Sequence, residues 1–450
     1  MDASQLNWLT ASDAARAIRE GALSAEELTA ACLARIREVE PQVQAWQHLD
    51  ADYALRQARS RDEERREGRP VGPLHGVPVG IKDIIDTADM PTEDGTVLHA
   101  GRTPAHDAAV VTRLRVAGAV IMGKTVTTEC AYFHPGKTRN PHNPDHTPGG
   151  SSSGSAAAVA AGMVALAVGS QTNGSVIRPA AFCGVYGFKP SHGLIPRNGI
   201  LKLSRSLDHV GVFARSIEDV ALLAEQLVGY DERDPDTRPH ARPALVATAA
   251  EEPPFEPTFA FVKTPLWDRV ESDAKEAFGE LLDVLGDRVI EVTLPDSARE
   301  AWDWHRTIME AEMAASLDAE WERGRERLSE KLRMLLARGR EVRAIDYQRA
   351  LARAALVNER LGEVFERCDA ILTPAAPGAA PRGLESTGDP AFCTLWTYCG
   401  MPAISLPLMQ AANGLPLGVQ LVGARHADAR LLRTARWLSV RAGASSEGKP

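Results

Sequence analysis

Helical periodicity dominates the start of the chain. Residues from about 10 to 68 place apolar side chains three and four positions apart, and in "SAEELTAACLARIREVE" Ser24 and Glu27 form a capping box ahead of the apolar stripe. Residues 1–68 therefore predict a helical cover. From "PLHGVPVGIKDIID" to about Gly229, short apolar runs alternate with helical stretches such as "DAAVVTRLRVAG" and "SIEDVALLAEQLVG". That rhythm predicts an α/β core over residues 69–229, a mixed sheet flanked by helices on both faces. The Pro- and acid-rich stretch "YDERDPDTRPHARPALVATAAEEPPFEP" reads as a long surface connection. Residues from about 269 to 367 read as charged helices with solvated faces. Segment 230–368 is thus expected to be a mostly helical region on the substrate side of the core. Strand patterning returns in "CDAILTPAAP", "MPAISLPL" and "GLPLGVQLVG", and "DARLLRTARWLSV" closes as a helix. Residues 369–450 would then complete the core of one domain spanning 1–450.

Composition narrows the partners. The 450 residues are 44% hydrophobic and 25% charged, the profile of a globular chain, and the formal net charge of −9 offers no basic face to nucleic acid or to an anionic membrane. The N-terminus carries no basic start followed by an apolar run, and no stretch has the length of a membrane span. The expectation is a cytoplasmic protein acting on a small molecule. Six cysteines lie scattered without a C-x-x-C pair, and twelve histidines show no H-E-x-x-H spacing, so neither disulfides nor a metal site is predicted.

Three glycine-containing stretches carry candidate chemistry. "GAVIMGKT", Gly118 to Thr125, matches the phosphate-loop pattern and raises an alternative of another class, a nucleotide-binding protein. Its context disagrees: a helix precedes it, Gly118 sits where a helix C-cap belongs, and Ala-Val-Ile-Met reads as a buried strand. "PGGSSSGSAAAVAAG", Pro148 to Gly162, is a Gly/Ser loop entering an Ala-rich helix, followed by the strand-like "MVALAVGS". "GSQTNGSVIRPAAFCG", Gly169 to Gly184, suggests a tight turn presenting backbone N–H groups and the hydroxyl of Ser175.

Together with "GVPVGIKDIID" upstream and "FCGVYGFKPSHGLIP" and "GLPLGVQLVG" downstream, these stretches resemble the amidase signature family, in family order over about three quarters of the chain. The resemblance implies amide hydrolysis by a Ser-Ser-Lys triad, with Lys82 as base, Ser151 as relay and Ser175 as nucleophile, and no cofactor. It also implies an oxyanion hole of backbone N–H groups from Thr172, Asn173, Gly174 and Ser175. The chemistry is consistent with the residues. A serine hydroxyl needs a base, and a lysine set among Val77, Val79, Ile81, Ile84 and Ile85 can be desolvated and kept neutral.

The nucleophile segment departs from the commonest family form, D-x-G-G-S-[IV]-R-x-P. Here "QTNGSVIRP" has Gln171 for the acid and Ile177 for the arginine, with arginine moved to Arg178. Similar forms occur in a branch resembling malonamidases, where an arginine in this place faces the substrate's carboxylate. Arg178 is therefore a candidate substrate-binding residue, set against a plainer reading in which Pro179 starts a short helix and Arg178 merely flanks it. Tyr132 and Phe133 are candidates for lining the pocket. The same resemblance allows a second function, the ammonia-delivering amidase component of a glutamine-dependent tRNA amidotransferase. Oligomeric state stays open, a homodimer included.

Overall fold

The computed structural model describes residues 3–446. Its strands are β1 (Trp46–Leu49), β2 (Pro78–Lys82), β3 (Val120–Thr125), β4 (Leu166–Gln171), β5 (Tyr186–Lys189), β6 (His209–Ala214), β7 (Phe259–Val262), β8 (Val289–Val292), β9 (Ala370–Pro374), β10 (Ala403–Gln410) and β11 (Pro416–Val422). They form one sheet in the order β1-β3-β2-β4-β6-β5-β10-β11-β9-β7-β8. The sheet is mixed as expected: β2 runs parallel to β3 and β4, and β7 parallel to β8 and β9, while the other pairs are antiparallel.

Side-chain alternation sorts the core onto two faces. Ile121, Leu166, Val168 and Val212 belong to one apolar cluster, whereas their strand neighbours Val120, Met122, Ala167 and Phe213 belong to another. The Ala-rich helix Ser153–Ala160 lies on the second face, where Ala156, Ala157 and Ala158 are fully buried. Small side chains let its backbone come close to the sheet: a Cβ on Gly154 would stand 2.3 Å from both the Ala45 carbonyl oxygen and the Val126 nitrogen. The N-terminal helices Ala11–Glu20 and Ala25–Val43 pack over the same face, the second with the capping box read from Ser24 and Glu27.

Several expectations need correction. The helical cover contains an edge strand, β1, whose four residues pair antiparallel with β3 and whose half-exposed positions carry too short an alternation to stand out. The surface connection contains the helix Leu245–Ala250, and the helical middle region contributes β7 and β8 to the sheet. β8, at the sheet's edge, is only partly covered, so its sequence lacks the apolar run of a central strand. The phosphate-loop match is a strand, not a loop. Gly118 caps the preceding turn at φ +86°, and Lys124 is fully buried, donating to the Ile85 carbonyl at 2.6 Å and to Thr92 Oγ1 at 2.5 Å. The six cysteines are free and buried. Among the described residues, no helix is long and apolar enough to cross a membrane.

Topology places the chemistry. β2 and β4 are parallel neighbours in register, Val79 opposite Leu166 and Ile81 opposite Val168, so Lys82 and Gln171 end at the same edge of the sheet. Ligands in such sheets gather outside the carboxyl ends of the strands. The close packing beneath this edge can be tested. Gly154→Ala should lose about 1–3 kcal/mol in urea denaturation through overpacking. Gly362→Ala, on an exposed helix position with nothing within 4 Å of the added carbon, should gain slightly.

Candidate active site

Lys82 ends β2 with no exposure to solvent. Its Nζ lies 2.7 Å from Ser151 Oγ and 2.8 Å from Ser170 Oγ. Burial holds the amine well below the ordinary lysine value of 10.5, a shift only opposed by the negative charge of Asp208. A neutral amine has two N–H donors and one lone pair. With one N–H engaged by Ser170, the lone pair is free for the Ser151 hydroxyl.

The loop holding Ser151 is pinned on both sides. Ser152 Oγ donates to the Ser170 carbonyl at 3.2 Å and accepts from its N–H at 3.3 Å. Gly154 N–H and Ser153 Oγ both donate to the Val126 carbonyl, and Ser155 Oγ bridges Thr125 Oγ1 and the Val168 carbonyl. The three serines at 152, 153 and 155 thus lock the loop to β3 and β4. The Gly150–Ser151 peptide is cis, and Gly149 adopts φ +81° where a Cβ would meet Pro179.

After β4 the chain makes the expected turn. Gln171 organises it from within. Its Oε1 accepts from the N–H groups of Val176 and Ile177 at 2.8 and 3.0 Å, and its Nε2 donates to Thr397 Oγ1 at 2.9 Å. These bonds cap the helix Ile177–Cys183, leaving Pro179 as its third residue rather than its first. Arg178 consequently sits inside the helix's first turn. Among the described residues, the N–H groups of Thr172, Asn173, Gly174 and Ser175 have no acceptor in the protein.

Ser151, Thr172, Asn173, Ser175 and Arg178 line one cleft, together with Tyr132 and Phe133. The two rings meet edge to face at 4.8 Å. Ser151 is buried and Ser175 half-buried, so the sequence-predicted residues, Lys82 included, are brought together; Gly174 lies under the turn, where a Cβ would touch Arg178 Nη1 at 3.0 Å. Arg178 is fully buried: Nε donates to the Thr387 carbonyl at 2.7 Å, Nη2 to the Gly150 carbonyl at 2.6 Å and to Thr387 Oγ1 at 3.1 Å. Nη1 has no partner, and the guanidinium stacks 5.7 Å from the Phe133 ring. Burial pushes its pKa down to about 10.

Other residues of the site were not anticipated. Asp208 accepts from Thr172 Oγ1 at 2.7 Å and from the N–H groups of Leu203 and Ser204, with burial raising its pKa. Thr172 and Leu203 separate the cleft from a second cavity of about 250 Å³ that reaches Ser170 and Asp208. His305, Met309 and Met313 lie along the helix Ala301–Ser316: both methionines line the cleft, and His305 Nε2 contacts the Thr172 carbonyl at 2.9 Å. Their spacing of four is a helical stripe legible in "HRTIMEAEM". Ser170 stood in the quoted "GSQTNGS" run. Thr387 and Thr397 carried no signal. Among the described residues, no group of three or more His, Cys, Asp or Glu is arranged to hold a metal ion.

A mixed α/β sheet with a buried lysine and two serines at one strand edge defines a class, and the comparisons agree with it. The Amidase family model matches residues 27–432, and the chain belongs to that family of enzymes. It is 35% identical, over 95% of both chains, to the GatA-type component, the amidase chain, of glutamyl-tRNA(Gln) amidotransferase from Chloroflexus aggregans. The native peptide amidase of Stenotrophomonas maltophilia superposes with a TM-score of 0.84 at 31% identity, over 96% of this chain and 97% of that one. A protein from a vestigial complex bearing on the origins of an s-triazine catabolic enzyme reaches 0.89 at 26% identity, over 96% and 98%.

The lysine's environment has a measurable signature in stability. Between its lowered folded pKa and the ordinary value of 10.5 the unfolded chain binds the extra proton, so stability rises with pH across that interval. Urea midpoints measured over a pH series should show this rise in the wild type, and Lys82→Met should flatten it.

Proposed function

We propose that this enzyme hydrolyses the C–N bond of a small carboxamide through an acyl-enzyme on Ser175. The observation that carries the reading is the buried Lys82 amine against Ser151 Oγ at 2.7 Å, with Ser151 and Ser175 on the wall of one cleft. Neutral Lys82 takes the Ser151 proton as Ser151 takes that of Ser175, whose oxygen attacks the amide carbonyl. The resulting negative charge falls to the unoccupied N–H groups of Thr172, Asn173, Gly174 and Ser175. The proton then returns along the same path to the leaving amine, and water resolves the ester.

Arg178 supports a finer reading, an acyl group bearing a carboxylate. A buried guanidinium with one free nitrogen in the cleft offers charge-assisted hydrogen bonding to such a group. The similarity to the amidotransferase chain supports a second reading, in which this protein would pass ammonia to partner chains. Release of ammonia from a simple amide by the isolated chain decides for the hydrolase.

Intact mass and peptide mapping after exposure to a fluorophosphonate should find the adduct on Ser175, with labelling nearly lost in Lys82→Ala and absent in Ser175→Ala. Its rate should fall as pH drops through the lowered Lys82 pKa, because the protonated amine cannot accept. Labelling elsewhere, or unchanged without Lys82, would refute the triad. Across a panel of amides, wild type should prefer an acidic amide over its neutral ester, and Arg178→Ala should lose that preference by about tenfold or more, the scale of one charged hydrogen bond.

A further inference from the structure

Each candidate oxyanion donor belongs to a peptide unit whose carbonyl faces the opposite way, because a trans peptide sets C=O and the following N–H antiparallel. Fixing a carbonyl on one side therefore aims the next residue's N–H to the other. Three consecutive units of the turn are anchored in this manner. The Thr172 carbonyl accepts from His305 Nε2 at 2.9 Å, the Asn173 carbonyl from Thr397 Oγ1 at 2.5 Å, and the Gly174 carbonyl from the Arg178 N–H at 3.0 Å. The N–H groups paired with them are those of Asn173, Gly174 and Ser175.

The third anchor is ordinary helix geometry, but the first two are side chains from distant helices, Ala301–Ser316 and Ala391–Tyr398. Both anchors have a fixed direction of donation. A carbonyl accepts only, so His305 must carry its proton on Nε2; burial, which lowers its pKa to about 4, keeps the ring neutral. Thr397 Oγ1 receives an N–H from Gln171 and spends its own hydrogen on Asn173. Thr394 Oγ1 holds the Asn173 side chain at 2.8 Å, so that residue is gripped at both ends. We infer that His305 and Thr397 are positioning residues that preorganise the oxyanion hole, aiming the Asn173 and Gly174 N–H groups by holding the carbonyls behind them. The inference rests on the oxyanion role proposed above for this turn.

Phosphonylation kinetics test it without a known substrate, since the phosphonyl oxygen must occupy the oxyanion position as the bond to Ser175 forms. Saturation kinetics with the fluorophosphonate separate the maximal rate from the half-saturating concentration. Removing an oxyanion donor outright costs about 10²–10³ in rate, so misaiming one should cost about tenfold or more. His305→Phe and Thr397→Val should each lower the maximal rate by that factor, with half-saturation within about twofold and the Lys82-governed acid limb unmoved. His305→Gln and Thr397→Ser, which keep a donor, should recover most of the rate.

Maximal rates equal to wild type in the folded variants would overturn the inference while leaving the Ser175 mechanism standing. So would a loss that the donor-keeping variants fail to recover. Wild-type protein that is not labelled at Ser175 would instead overturn the reading beneath it, and the inference with it. Should His305→Phe fail to fold, Thr397→Val decides alone, because it removes one hydroxyl at nearly constant shape.

Discussion

An amine with no access to water is the constraint around which this sheet edge is built. Placing Lys82 at the end of a central strand is expensive for a charged group, and the fold answers by letting the amine stay neutral between two hydroxyls. That solution requires Ser151 and Ser170 to be held to within hydrogen-bond reach. The bonds of Ser152, Ser153 and Ser155 to β3 and β4 perform that task. The Ala-rich helix and Gly154 follow from the same need, since a loop this close to the sheet leaves room for little beyond a hydrogen atom. Serine repetition and alanine repetition in one motif are thus two consequences of a single buried nitrogen.

The edge is completed from outside the core. The helix Ala301–Ser316 brings His305 to the turn, Met309 and Met313 to the cleft wall, and Glu312 to the 203–208 segment, where it accepts from Ser206 Oγ at 2.6 Å and from Ser204. One helical face therefore touches both the turn that carries the candidate nucleophile and the segment bearing Asp208. Changes along that face would alter the shape of the cleft through Met309 and Met313 without disturbing Lys82, whose partners lie in β4 and the serine loop. Chemistry and shape are carried by different parts of the chain.

That division explains what could be read in advance. Lys82, Ser151 and Ser175 sit in local motifs whose glycines and small residues are dictated by backbone approach, and such demands leave a trace within a few positions. Strands with both faces covered, such as β2, β3 and β4, left continuous apolar runs. β1 and β8, short and at opposite edges, left none, and β7 was hidden by the acidic, Pro-rich sequence before it. His305, Thr387 and Thr397 meet the site only through tertiary contacts spanning 133 to 224 positions, where no local pattern connects the partners. The phosphate-loop match shows the converse: a correct string of residues with the wrong backbone.

The exchange of an acid and an arginine for Gln171 and Ile177 has a physical logic in these bonds. Gln171 accepts two helix N–H groups as a carboxylate would, but it also donates to Thr397, which a carboxylate cannot do. Without the acid, the arginine is freed from a structural pair, and at position 178 it is buried against neutral acceptors only: two carbonyls and a hydroxyl. A guanidinium so placed is under-compensated, as its lowered pKa registers. Its one unsatisfied nitrogen lies in the wall that also holds Ser151 and Ser175. An anionic group entering the cleft would supply the missing charge and the missing acceptor together, so the destabilisation carried by the empty site becomes selectivity when it is filled.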